Sequence, residues 1–165
     1  MKLLLIDANV ATSPDPVYPL GMSMVARALA DAGHEVVQFD FLQNSRSFDS
    51  LRAVIKRENP AIAGISMRNI DNVNLMNEQR YIGIVKDIVG EIRSLSDARV
   101  VLGGTAFSLL PEDILHHLGA DFGIVGEGEK LMQDLAEQIA HGREPADPVL
   151  RADPHLSGGQ MQRAL

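Results

Sequence analysis

The feature that most constrains this chain is an alternation: five short apolar-rich runs, each followed by a stretch whose apolar residues recur at helical spacing. The runs are Leu3 to Ile6, Glu35 to Phe39, Ala61 to Ser66, Arg99 to Leu102 and Phe122 to Val125. Continuous runs such as Leu3 to Ile6 imply strands covered on both faces, since a strand solvated on one side would alternate apolar with polar. Between them, Leu20 to Ala32 places Leu20, Met24, Val25, Ala28, Leu29 and Ala32 on one predicted buried face, and Gly33 suits a left-handed C-cap. Ser47 to Glu58 carries Phe48, Leu51, Val54 and Ile55, and roughly Gln79 to Leu95 carries Ile82, Val85, Ile88, Val89 and Ile92. Pro111 opens a fourth helix with Glu112 and Asp113 against its dipole, and Glu129 to Ile139 closes the series. Strands joined by right-handed helical crossovers are parallel. The expected fold is therefore α/β: a doubly wound five-stranded parallel sheet, flavodoxin-like or Rossmann-like, of order 2-1-3-4-5.

In such a sheet, ligands bind in the crevice at the carboxyl ends of the strands. Val100 to Lys130 contains two strand-to-helix turns side by side, Gly103-Gly104-Thr105 and Gly126-Glu127-Gly128-Glu129, and glycine lets a backbone approach a ligand without a Cβ clash. The loop from Ala8 to Pro19 holds Pro14, Pro16 and Pro19 and exceeds the usual length of a turn in this class, which points to function. The exit Ser66-Met67-Arg68-Asn69-Ile70-Asp71-Asn72 is polar and reaches the same edge. Arg68 can also be read as a surface partner of Asp71 or Glu78.

Composition narrows the chemistry. At 165 residues the chain fits one domain, and a net charge of −7 with no basic stripe argues against a grip on nucleic acid. The absence of cysteine removes disulfides, thiolate catalysis and any iron–sulfur cluster held by this chain's own thiols. The opening Leu3 to Ile6 is too short for a signal h-region or a membrane span, so a cytoplasmic protein is expected. Asp40 ends the second run where dinucleotide folds hold a ribose, but no Gly-x-Gly-x-x-Gly follows the first run. His116-His117 are adjacent on a helix and so do not share a face, which disfavours a metal site. Leu156-Ser157-Gly158-Gly159-Gln160 matches the signature of ABC-transporter ATPases, yet neither a phosphate loop nor a Walker-B acid accompanies it; chance similarity or a foreign joint explains it. A receiver would need an aspartate where Ser66 stands, and a flavodoxin-like module would need a fuller phosphate loop than Thr12-Ser13 supplies.

The series Tyr18-Pro19-Leu20-Gly21, Gly33-His34-Glu35-Val36, Gly64-Ile65-Ser66, Val101-Leu102-Gly103-Gly104 and Val125-Gly126-Glu127-Gly128-Glu129 resembles the N-terminal cobalamin-binding domain of the B12-dependent radical SAM enzymes, from Met1 to about Gly142. Cobalamin is a flat corrin with a nucleotide tail that ends in a phosphate and dimethylbenzimidazole. The resemblance implies a tail slot lined by Gly103, Gly104, Thr105, Gly126, Glu127 and Gly128. It also implies corrin contacts from Tyr18, Pro19, Ser66, Met67 and Arg68, with Asn9, Val10 and Met67 as candidates for the lower face of the metal. Better-known relatives carry Asp-x-His-x-x-Gly after the first strand; here Asp7-Ala8-Asn9-Val10 has no histidine, which implies base-off, His-off cobalamin. The Cys-x-x-x-Cys-x-x-Cys half that would bring S-adenosylmethionine and a 4Fe-4S cluster is absent. The expectation is a cobalamin-binding domain over 1–142 and a linker or tail over 143–165. The catalytic radical SAM domain would act in cis or in trans, as a methyltransferase or related C–C bond-forming enzyme on a small-molecule or lipid-like substrate. A degenerate domain that serves only for docking is the remaining alternative.

Overall fold

The computed structural model describes residues 1–11, 18–69 and 81–152. Six strands and five helices alternate: β1 (Lys2–Asp7), α1 (Leu20–Asp31), β2 (Glu35–Asp40), α2 (Phe48–Glu58), β3 (Ile62–Ser66), α3 (Tyr81–Leu95), β4 (Arg99–Gly103), α4 (Pro111–Leu118), β5 (Phe122–Val125), α5 (Glu129–Ala140) and β6 (Val149–Arg151). All pairings are parallel, in the order β2-β1-β3-β4-β5-β6. The expected sheet of five strands is thus one strand short. Val149–Arg151, read from sequence as part of a linker, adds a sixth strand beside β5, and Gly123 donates its N–H to the Pro148 carbonyl at 2.8 Å. Three residues between prolines carry no readable periodicity; only the free edge of β5 makes them a strand.

Because strand side chains alternate between faces, the sheet divides two cores. On one face Leu3, Leu5, Ile62, Val101, Phe122 and Ile124 meet α1 and α5. On the other, Leu4, Ile6, Ala63, Ile65, Val100 and Leu102 meet α2, α3 and α4. Helix α1 corrects the expected face: Met22, Ala26 and Leu29 are buried, whereas Leu20 and Met24 are 64% and 51% exposed. Its sequence offers two apolar stripes at helical spacing, and packing against α5 selects one. The contact is close: Gly128 has room for a Cβ only at 3.2 Å from Val25 Cγ2, and Gln133 Nε2 bonds the Ala28 carbonyl. Helix α2 is capped by the Ser47 hydroxyl and ends at Asn59 in the left-handed conformation. No described helix is long and apolar enough to cross a membrane. The Leu156–Gln160 motif lies outside the described residues.

Candidate functional site

The carboxyl ends of β1, β3, β4 and β5 open into a cleft of ≈ 860 Å³ on the side of α1 and α5, within the range usual for ligand sites. Strand parity explains where it runs. On the α1/α5 face, Leu5 of β1 is followed by Asp7, Gly64 of β3 by Ser66, and Val101 of β4 by Gly103. Two of these positions on neighbouring strands lack a side chain. A Cβ on Gly103 would find only the Ile124 carbonyl, at 3.9 Å, and a Cβ on Gly64 would strike Leu5 Cδ2 at 2.8 Å with Met132 Cε at 3.4 Å. The missing side chain at Gly103 leaves a trough in the sheet, floored by Leu5, Val101 and Ile124 and roofed by Met22, Val25 and Met132, whereas the space over Gly64 is taken up by Leu5 and Met132. The trough also follows a split: β4 and β5 pair only at Val101↔Phe122 and Leu102↔Gly123, so the strands part beyond them.

The rim is tied together by hydrogen bonds. Met67 donates its N–H to the Gly103 carbonyl (2.8 Å), Ala106 to that of Met67 (3.1 Å), and the Thr105 hydroxyl to that of Arg68 (3.1 Å). These bonds join the loops after β3 and β4. Gly104, at φ +97°, has its Cβ position 2.4 Å from the Met67 oxygen, so its missing side chain lets the two loops join at the edge of the cleft. Ser108 joins the next pair: its hydroxyl donates to the Gly104 carbonyl at 3.1 Å and accepts from the Gly126 N–H at 3.2 Å. It is placed by the turn Phe107–Leu109, whose Phe107 ring fills the space that a Cβ on Gly123 would enter at 2.0 Å.

Asn9, Tyr18, Pro19, Ser66, Met67, Arg68, Gly103, Gly104, Thr105, Gly126, Glu127 and Gly128 all line the cleft. Val10 does not. It is buried in the opposite core, its carbonyl accepting from Arg46 Nη2 at 2.9 Å, because parity beyond β1 turns it toward α2 and α3. Residues 12–17, 70–80 and 153–165, which include Asp71 and Glu78, lie outside the described residues. Sequence reading missed Leu5, Met22, Val25, Gly64, Val101, Ile124 and Met132, the apolar interior of the slot. The signal for Gly64 was its position, a glycine inside a buried strand where a close approach is needed.

It also missed Asp7, which is 4% exposed at the end of β1, in register with Asp40 on one side and Ser66 on the other. Burial, helped by the Asp40 charge, pushes the Asp7 carboxyl up to about 6, against the opposing pull of the Asn9 backbone N–H and the Arg68 charge. Asn9 is likewise buried, its Oδ1 accepting from the Ala11 N–H at 3.0 Å. Among the described residues no histidine lines the cleft, and no group of His, Cys, Asp or Glu is arranged to hold a metal ion.

The family described as "B12 binding domain" matches residues 6–136. The tryptophan 2-C-methyltransferase of Streptomyces laurentii is 31% identical over 149 residues, covering 90% of this chain and 24% of that enzyme. The radical S-adenosylmethionine methyltransferase TsrM of Kitasatospora setae, solved with cobalamin and a [4Fe-4S] cluster bound, superposes with a TM-score of 0.81 at 32% identity, over 89% of this chain and 26% of that one. The cobalamin-dependent radical enzyme OxsB shares the fold at a TM-score of 0.69 and 17% identity, over 89% of this chain and 20% of that one. The chain thus spans about a quarter of the length of the methyltransferases it matches.

Proposed function

We propose that this chain, which belongs to the B12-binding domain family, holds cobalamin base-off and His-off for a radical SAM catalytic domain that carries S-adenosylmethionine and the 4Fe-4S cluster. The carrying observation is the trough at Gly103, a channel at the sheet edge that a side chain there would otherwise fill. Its residues fit the cofactor. The apolar walls of α1 and α5 suit an aromatic tail, the Ser66 hydroxyl suits its phosphate or ribose, and the rim from Tyr18 to Arg68 suits the flat ring. When bound, methylcobalamin supplies a methyl group for transfer to carbon. This chain's own residues would bind and orient: the Ser108 and Thr105 hydrogen bonds fix the rim, and Asn9 with the Met67 backbone would hold the cofactor's near side, the Met67 side chain being buried in the opposite core. The methyltransferases among the relatives support a methyltransferase, or a related C–C bond-forming enzyme, acting on a small molecule. The domain spans 1–142 with the β6 segment, and the catalytic domain joins it in cis.

Incubation with hydroxocobalamin followed by gel filtration tests this reading. Corrin absorbance should travel with the protein, and Gly103→Leu, which fills the open side of the trough, should lose it while keeping the native far-UV circular dichroism. Equal retention by the variant would refute the assignment. Retained flavin, or a stable aspartyl phosphate, would favour the other modules built on this sheet.

A further inference from the structure

We propose that the slot selects its cobamide by the lower base, accepting an apolar benzimidazole-type ring and rejecting a purine. The inference rests on the cofactor reading above and names the form of cofactor the site takes. The interior of the slot is made by Leu5, Val101 and Ile124 below and Met22, Val25 and Met132 above; none of these side chains carries a hydrogen-bond donor, and the two thioether sulfurs are only weak acceptors. Beneath it, β1 and β3 are paired on both sides, so their backbones are committed to the ladder; at the β4–β5 split the Ile124 carbonyl, 3.9 Å from the Gly103 Cβ position, adds an acceptor but no donor for ring nitrogens.

The cleft's polar side chains come from the strand ends and the segments just beyond them, and two of them are already engaged. The Ser108 hydroxyl donates to the Gly104 carbonyl while accepting from the Gly126 N–H, and the Thr105 hydroxyl donates to the Arg68 carbonyl. Asp7 and Ser66 end their strands above the floor. A base reaching the floor therefore meets methyl, methylene and thioether groups, and the two methionines offer the sulfur contacts that favour an aromatic ring. Dimethylbenzimidazole presents mainly carbon to such a surface. Adenine brings an exocyclic amine and further ring nitrogens, each hydrogen-bonded in water and left without a side-chain partner here.

The chain is titrated with hydroxocobalamin, with the adenine-containing cobamide of the same corrin, and with cobinamide, which lacks the nucleotide, following corrin absorbance. The expected result is that hydroxocobalamin binds at least ~10-fold more tightly than the adenine form, the loss expected from one or two unpaired polar groups. Cobinamide should bind more weakly than hydroxocobalamin. Val101→Thr, a substitution of nearly the same shape, sets a hydroxyl in the floor and should narrow the ratio within one and the same variant. Equal affinity for the two cobamides would overturn the selectivity and leave the cofactor reading standing, as would an unchanged ratio in Val101→Thr. Cobinamide binding as tightly as hydroxocobalamin would show that the tail is not read and overturn the selectivity too. Failure of all three to bind would overturn the cofactor reading and this inference with it.

Discussion

Replacing Asp7 by Asn should stabilise the protein at neutral pH, because the carboxylate is held where its charge is poorly solvated. Asp7 is 4% exposed at the carboxyl end of the second-position strand β1 and lies in register with Asp40. Its carboxyl is moved from an ordinary 3.8 to about 6, a difference that corresponds to about 3 kcal/mol at 1.36 kcal/mol per pH unit. The sign follows from proton binding. Between those two values the folded protein holds more protons than the unfolded chain, so stability is full below about pH 4, falls as pH rises through about 6, and then levels off. Asparagine keeps the shape and removes the charge. Urea unfolding at intervals from pH 4 to pH 8 should show Asp7→Asn more stable at pH 7 by up to about 3 kcal/mol, or roughly 6–12 °C in Tm for a chain of this size. The advantage should shrink as pH falls. Asp40→Asn, which removes the neighbouring charge, should flatten the slope of the parent protein in part. A difference between Asp7→Asn and the parent that does not vary with pH would refute the reasoning.

Three further outcomes follow from the same coordinates. Gly104→Ala, with φ +97° and a Cβ 2.4 Å from the Met67 oxygen, should cost about 2–4 kcal/mol of unfolding free energy, whereas a variant as stable as the parent would contradict the junction described for it. Val149→Asp places a charge in the core that β6 helps to close; denaturant unfolding should report a loss of about 3 kcal/mol, and an unaffected midpoint would argue that the sixth strand is not part of the folded unit. Reduced to the Co(II) state, the corrin-loaded protein should give an electron paramagnetic resonance spectrum without superhyperfine splitting from an axial nitrogen, and such a splitting would remove the base-off, His-off assignment.

Much of this architecture can be read without coordinates, for reasons that are local. Runs such as Leu3 to Ile6 declare strands covered on both faces, and the helical spacing of Val85, Ile88, Val89 and Ile92 declares the buried face of α3, because backbone geometry alone sets both periods. Glycines at strand ends mark the ligand edge through the steric freedom they confer, and the lack of a histidine in Asp7-Ala8-Asn9 is visible as written. The loops that line the cleft were legible for the same reason; its apolar interior was not, since Leu5, Val101 and Ile124 read as ordinary core.

What tertiary structure alone decided depends on partners distant in the chain. Two apolar stripes compete on α1, and the approach of Gly128 and Gln133 from α5 determines that Met22, Ala26 and Leu29 turn inward while Leu20 and Met24 stay out. Val149–Arg151 become a strand only because β5 offers an unpaired edge, and Val10 leaves the cleft because parity carries it to the other face. The purpose of each glycine is settled the same way. Gly103 opens the trough, Gly104 admits the Met67 backbone and Gly123 admits the Phe107 ring, distinctions that rest on which atoms the fold brings against a missing Cβ and that no spacing along the chain encodes.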